Sequence, residues 1–202
     1  MSKGLVWGII GLVFFLLLFN GCSSYNNMVT KNEAVTAQWQ QVENVYQRRM
    51  DLIPNIVSTV QGYADFEKST LTDVINARSN ATKVTIDASK LDEASLQKFQ
   101  DAQGALSSTL SRLMVVAEQY PDLKANQGFS DLRVQLEGTE NRIAQERKTF
   151  NEMAQDFNTY IQRFPKNIWA GMFHFEKRAY FKMQEGADTA PKVQFNFKDE
   201  KK

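Results

Sequence analysis

The feature that most constrains the fold of this chain is a long run of seam residues spaced alternately three and four positions apart. The run extends from Phe129 to Phe164 and stops before Pro165. Such spacing places the side chains on one face of an α-helix, and a sustained period of 3.5 residues favours left-handed, coiled-coil-like packing. The run therefore predicts a long helix that packs against other helices.

Two further segments carry the same helical spacing. The first runs from about Asn26 to about Ala81, and its apolar phase continues through Pro54 without slipping. Because Pro54 cannot donate a backbone hydrogen bond, the pattern predicts one long helix that bends there. The second helix is predicted to begin at Asp92 as N-cap and to end before Pro121. With 4 prolines and 10 glycines in 202 residues, breakers are few, and we expect an all-α, elongated up-down helical bundle.

The N-terminus carries an apolar stretch that predicts attachment to a membrane. Residues 5–19 contain no polar side chain, and Lys3 gives a positive flank. Residues 1–22 form either a transmembrane anchor or a lipoprotein signal peptide that ends at Cys22, which lies in a lipobox-like context and is the candidate for lipidation. Both interpretations leave the bundle on the non-cytoplasmic side. Glycines spaced four and three apart in this stretch leave a homo-oligomer open.

The C-terminal part of the chain differs from the rest. We assign residues 23–182 to the bundle, with an aromatic segment over residues 166–182 that caps its open end as a short helix. Trp169 and Phe173 in this segment are candidates for contact with a partner or with the membrane interface. Residues 183–202 are expected to form an extended polar tail.

The inventory of reactive side chains argues against catalysis. One histidine and one cysteine exclude a multi-histidine metal site and an internal disulfide, and the chain has no phosphate-binding loop or nucleophile elbow. The 24 basic residues nearly balance the 23 acidic ones, so no basic field indicates nucleic acid. We predict a protein that is not an enzyme and has no cofactor or metal, with an unrecognised hydrolase as a remote alternative.

Three polar residues interrupt the predicted apolar seams. They are Gln103 in the second helix and Thr139 and Glu146 in the third. One interpretation is structural, with Glu146 extending to solvent or pairing with an arginine such as Arg142 or Arg147. The other interpretation is that these three residues fix the register of the helices or line a pocket for a ligand or lipid.

Several stretches of the chain together form a family-like signature. They are Tyr25-Asn26, Trp39, Gln41-Val42, Arg48-Arg49-Met50-Asp51-Leu52-Ile53-Pro54-Asn55-Ile56-Val57, Gly62-Tyr63-Ala64, Tyr120-Pro121-Asp122-Leu123-Lys124-Ala125-Asn126, Leu136-Glu137-Gly138-Thr139-Glu140-Asn141-Arg142-Ile143 and Asn158-Thr159-Tyr160. These stretches resemble the signature of the bacterial LemA family. The resemblance implies a bacterial membrane protein with one N-terminal transmembrane segment, a four-helix bundle and no assigned catalytic activity. Cys22 departs from the usual anchor of the family.

The stretch around the predicted bend supplies the remaining candidate site. Arg48, Arg49, Asp51, Pro54 and Asn55 form either a surface that binds a protein partner or a motif that only fixes the bend. We expect a non-catalytic envelope scaffold that binds a protein partner through this region or through the aromatic segment. The alternative is a ligand or lipid sensor that uses the polar seam residues Gln103, Thr139 and Glu146 inside the bundle.

Overall fold

A computed structural model describes residues 3–63, 66–88 and 90–182, and within these ranges the regular secondary structure is helical. The elements are α1 (Lys3–Gln61), α2 (Lys68–Lys83), α3 (Glu93–Ala117), α4 (Pro121–Lys124), α5 (Gln127–Gln162) and α6 (Lys166–Met172). The all-α fold class is thereby confirmed. The predicted polar tail, residues 183–202, lies outside the described residues.

Four of the helices form an up-down bundle. α1 and α5 are antiparallel, because Lys31 pairs with Asp156 near the N-terminal part of the bundle and Arg49 pairs with Glu140 farther along. α2 returns along α1, and α3 then runs beside α2 in the opposite sense. α4 is a single turn that carries the chain from α3 into α5. Helix α1 therefore forms both the N-terminal apolar stretch and the first helix of the bundle.

The end of α1 corrects the prediction of a single helix as far as Ala81. α1 ends at Gln61, and a new helix, α2, begins at Lys68. Gly62 lowers the helix propensity at this point. Phe66 then turns inward, is 4% exposed, and packs its ring 4.9 Å from that of Tyr120. Burial of this aromatic pair closes the distal end of the bundle, which a continuous helix would prevent.

Pro54 lies inside α1 as predicted, and the chain compensates for it. A proline at position 54 leaves the carbonyl of Met50 without its usual helical donor. The guanidinium Nε of Arg78 on α2 donates to this carbonyl at 3.0 Å. The proline thus creates an acceptor that fastens α2 to α1.

The starts of α3 and α5 follow the rules for helix capping. Asp92 accepts a hydrogen bond from the backbone N–H of Ser95 at 2.8 Å, which confirms it as the N-cap of α3. This bond lowers the pKa of the Asp92 carboxyl below its ordinary value. Leu91 and Leu96 are both buried across the cap, as a hydrophobic staple requires. Asn126 caps α5 in the same way.

The aromatic segment is less helical than the spacing suggested. α6 covers seven residues, and His174 follows it with a φ of 59°. The N–H of Phe175 reaches back to the carbonyl of Ala170 at 2.9 Å, which is the hydrogen bond of a Schellman ending. From there to residue 182 the chain has no regular secondary structure and lies along the bundle. We call residues 175–182 the strap.

The core consists of two apolar clusters stacked along α1. The proximal cluster, nearer the N-terminal stretch, contains α1 residues from Met28 to Tyr46. The distal cluster contains α1 residues from Met50 to Val60. Arg49 lies between them, so the boundary between the two clusters is polar.

Candidate functional site

The polar boundary is built around the side chain of Arg49, which is 1% exposed. Its Nη1 donates to Glu140 Oε1 at 2.7 Å and to Ser107 Oγ at 2.6 Å. Its Nη2 donates to the side-chain oxygen of Gln103. The buried cation therefore links α1, α3 and α5 at one height, and we call these four residues the polar layer.

A cavity of about 240 Å³ adjoins the polar layer. Tyr46, Arg49, Gln103 and Glu140 are among its lining residues. Burial raises the pKa of the Tyr46 hydroxyl, and the positive charges of Arg147 and Arg49 oppose that rise. Among the described residues, Arg49 Nε is buried without a hydrogen-bond partner. The cavity is polar and large enough for ordered water or a small polar ligand.

A second, open depression lies on the outer surface near the polar layer. It measures about 430 Å³, and we call it the arginine groove. Its lining residues are Arg48, Gln135, Gly138, Thr139, Asn141, Arg142 and Gln145. Two arginines and no acidic residue line it, so the groove is cationic. Within the described part of the chain, neither arginine has an ion-pair partner.

The structure separates the candidate residues around Pro54. Arg48, Asp51, Pro54 and Asn55 are exposed. The expectation that both arginines are displayed on the surface is wrong for Arg49, because its guanidinium points into the bundle to meet Glu140. Asp51 accepts a hydrogen bond from Gln47 at 2.8 Å. The motif thus has a core-facing arginine and a surface-facing arginine.

The predicted polar seam residues do not converge on one pocket. Glu146 is half-buried and accepts a hydrogen bond from Gln38 Nε2 at 2.7 Å, so its partner is an amide rather than Arg142 or Arg147. Thr139 donates to a backbone carbonyl of its own helix and lies against the arginine groove. Only Gln103 of the three lines the internal cavity.

An aromatic cluster centred on Trp39 holds the strap against the bundle. The Phe181 ring stacks on Trp39 with centroids 6.0 Å apart, and it meets Phe150 edge-on at 5.4 Å. Two asparagines seven residues apart on α5 form hydrogen bonds with the backbone of the strap. Asn158 donates to and accepts from the backbone of residue 178, and Asn151 does the same at residue 181. Asn158 belongs to the motif Asn158-Thr159-Tyr160, but nothing in the sequence pattern indicated that it binds the backbone of residue 178.

The other aromatic candidates lie beside the end of the N-terminal apolar stretch. A Cβ placed on Gly21 would approach the ring of Trp169 to 3.1 Å, so this glycine permits close packing of α6 on α1. The Phe173 ring lies 4.8 Å from Tyr25. Cys22 is exposed and free. We call Gly21, Tyr25, Trp169 and Phe173 the aromatic foot.

The N-terminal part of α1 has the length and composition of a membrane-spanning helix. Among the side chains that the structure describes along it, ten large apolar ones are exposed, including Leu5, Trp7 at 72%, Phe15 at 64% and Phe19. No other helix in the described ranges passes the same test. An exposed apolar helix of this length is explained by a lipid environment, so it indicates a membrane anchor.

Reactive side chains are dispersed in the part of the chain that the structure describes. No three histidine, cysteine, aspartate or glutamate side chains come close enough to hold a metal ion there. The internal cavity has one carboxylate, Glu140, and that carboxylate is paired with Arg49.

Comparison with known proteins gives a consistent result. Two magnetosome proteins of Paramagnetospirillum magneticum, MamQ 1 and MamQ 2, are each 28% identical over 182 residues, covering 82% of this chain and 67% of their own length. The LemA protein of Metamycoplasma hominis is 25% identical over 180 residues, covering 86% of this chain and 78% of its own. None of these names is that of an enzyme. The model of the LemA family matches residues 38–195, and the chain belongs to this family.

Proposed function

We propose that this protein is a membrane-anchored, non-catalytic scaffold of the bacterial envelope that binds a protein partner through the arginine groove. One observation carries the proposal. The two longest motifs, around residues 48–57 and 136–143, meet at a single height of the bundle. One pair of their side chains, Arg49 and Glu140, joins the helices inside, while Arg48 and Arg142 line the groove outside.

The chemistry of the groove favours an acidic, extended segment of a partner. Arginine guanidinium groups bind carboxylates in a fork-like geometry, and both groove arginines lack a carboxylate partner among the described residues. Side-chain amides of Gln135, Asn141 and Gln145 add donors and acceptors for a peptide backbone. A Cβ at Gly138 would have open space around it, so a partner backbone can approach α5 closely there.

The names of the relatives also support a role in an assembly. MamQ 1 and MamQ 2 are named as magnetosome proteins, after a structure rather than a reaction. A scaffold needs a rigid body and a fixed position. The polar layer supports rigidity, because one buried cation links three helices. The N-terminal apolar helix supports a fixed position at the membrane.

The test is photo-crosslinking in intact cells from a probe placed at position 141 of the full chain, which lines the groove and leaves both arginines in place. The matched control is position 101, which is exposed on α3 two residues before Gln103 and therefore at the same height. We expect a discrete crosslinked protein from position 141 that is absent from position 101. Its yield should fall severalfold in an Arg142→Glu variant, which reverses the charge of the groove. The same products from both positions would refute the proposal.

A second candidate function is a sensor of a small polar ligand. It is favoured by the partly open polar cavity and by Arg49 Nε, which lacks a hydrogen-bond partner among the described residues. Native mass spectrometry of the full chain released from membranes should then reveal a bound small molecule. A Gln103→Leu variant should lose that mass, because it removes a polar group from the cavity wall. An unliganded mass for both chains would contradict this candidate.

A further inference from the structure

The C-terminal helix α6 exposes apolar side chains that the bundle does not cover. Ile168 is 54% exposed and Met172 is 59% exposed, and their spacing of four places them on the same face. Phe164, in the turn that joins α5 to α6, is 80% exposed. On the inner side Ala170 is buried at 4% exposure. The helix is therefore seated on the bundle by one face and presents a separate apolar face to the outside.

The position of this face is fixed relative to the apolar stretch of α1. The Trp169 ring packs directly over Gly21, only two residues beyond Phe19, the last exposed apolar residue of that stretch. Two residues correspond to about 3 Å along a helix axis. Each headgroup layer of a bilayer is roughly 5–7 Å deep, as the difference between the full and the hydrocarbon thickness implies. Trp169 consequently lies within the headgroup layer when α1 spans the hydrocarbon core.

Both modes of attachment lead to the same height. A spanning helix from Gly4 to Cys22 has a length of about 28 Å, close to the hydrocarbon thickness. A lipid chain attached at Cys22 would bring the membrane surface to the same residue. The location of α6 at the membrane surface therefore does not depend on which anchor the chain carries.

The composition around α6 suits a lipid interface. The aromatic foot supplies Trp169 and Tyr25, the residue types that concentrate at membrane interfaces. Arg163 and Lys166 carry positive charge next to the apolar face in sequence, and Arg163 is exposed. An apolar face with a cationic rim is the pattern of an interfacial helix that lies on an anionic surface.

We propose that α6 is a membrane-docking surface, which inserts Phe164, Ile168 and Met172 into the headgroup region of the bilayer that holds the anchor. A single anchoring helix leaves a bundle free to tilt and rotate. A second contact one helix diameter away fixes the angle of the bundle, and with it the direction in which the arginine groove faces. The proposal does not rest on the identity of any partner.

The test measures the depth of single nitroxide labels in the full chain, reconstituted in nanodiscs of mixed zwitterionic and anionic phospholipid. An acylated Cys22 has no free thiol and is left in place, whereas an unmodified Cys22 is replaced by Ser. Met172→Cys then introduces the labelling site. The matched control is Val134→Cys on α5, since Val134 is 61% exposed against 59% for Met172 but lies in the distal half of the bundle. The ratio of collisions with oxygen to collisions with a water-soluble nickel chelate reports the depth.

We expect this ratio to be severalfold higher at position 172 than at position 134. Equal ratios in discs that hold a single copy overturn the proposal, and so does a difference that occurs only when two copies share a disc, because the face would then be covered by protein. If the labelled chain does not fold, quenching by brominated lipid in a Trp7→Phe variant replaces the measurement. Trp169 should be quenched and Trp39, which is fully buried, should not. Unquenched Trp169 overturns the proposal.

Discussion

The polar layer gives the sharpest prediction about stability, because its two charged members differ in exposure. The Arg49 side chain is 1% exposed, whereas that of Glu140 is 39% exposed. Removing Glu140 leaves a buried cation whose remaining partners are neutral side chains. Removing Arg49 leaves a partly exposed carboxylate that bulk water can solvate. We therefore predict that Glu140→Leu destabilises the fold more than Arg49→Met does.

The magnitudes follow from the contacts. Breaking a buried ion pair by removing one partner costs ~3–5 kcal/mol, and we expect about 3 kcal/mol for Glu140→Leu, because Ser107 and Gln103 still accept from Arg49. Arg49→Met replaces the cation with an apolar chain of similar length and gives up hydrogen bonds to two neutral side chains. Its cost should be about 1 kcal/mol. The double variant should cost about 2 kcal/mol less than the sum of the single variants.

The assay is urea unfolding of the full chain in a mild non-ionic detergent, followed by far-ultraviolet circular dichroism. The free energy of unfolding is compared for the native chain, the two single variants and the double variant. Lys148→Met is a suitable control, because Lys148 pairs with Glu152 at 3.9 Å on an exposed helix face and should contribute little. A larger loss from Arg49→Met than from Glu140→Leu, or strictly additive losses, would show that the layer is not held by a buried charge.

Three further predictions concern the strap, the proline contact and a helix cap. Asn151→Ala removes both hydrogen bonds to the backbone of residue 181 and should lower the free energy of unfolding by about 1–3 kcal/mol. Phe181→Ala should lower it by ~3–5 kcal/mol. Unchanged stability in both variants would contradict the packing of the strap on the bundle. Arg78→Met should cost about 1–3 kcal/mol in the native chain but much less in a Pro54→Ala background, where the freed carbonyl regains its helical donor; equal losses would refute this link. Asp92→Asn keeps the cap but not the charge, so the two chains should be equally stable at pH 7. Because the folded pKa of Asp92 is lowered below its ordinary value of about 3.9, the carboxylate stabilises the fold above that pH. This stabilisation is lost as the pH falls through the folded pKa, so the native chain should weaken in acid relative to the variant. Parallel curves of stability against pH would exclude this account.

The sequence was sufficient to predict the helices whose signals are local. The helix α5, its end before Pro165 and the N-cap at Asp92 depend on neighbouring residues, and the structure agrees with each of them. Phe164, the last residue of the predicted seam, instead lies beyond the end of α5 and is 80% exposed. Membership in the LemA family was also predictable, because its motifs are long. Each signal reports on a few turns of chain, so a single sequence contains it.

The break at Gly62 was not predictable in the same way. The apolar phase happens to continue from Val60 to Leu71, and only the distant contact between Phe66 and Tyr120 shows why the chain turns back. The strap was missed for a similar reason. Phe181 owes its place to Trp39, which lies more than a hundred residues away in sequence. Long-range burial decides both features, and periodicity carries no information about it.

The candidate site was predicted in part. The motif around Pro54 did mark an important region, but a helical wheel alone does not tell which of two adjacent arginines enters the core. Arg49 is buried because Glu140, Gln103 and Ser107 offer acceptors at its height. Arg49 and Glu140 belong to two motifs that are about ninety residues apart in sequence. The partners of a buried charge become evident only when the helices are aligned.

The central claim is that this LemA-family bundle is tethered to a membrane at residues 21–22. Intact-mass measurement of the full chain, recovered from the membrane fraction of the cells that make it, tests this most directly. We predict a chain that stays with the membrane and carries either the uncleaved N-terminal apolar stretch or an acylated Cys22. A soluble chain that begins beyond residue 22 and carries no lipid would contradict the account.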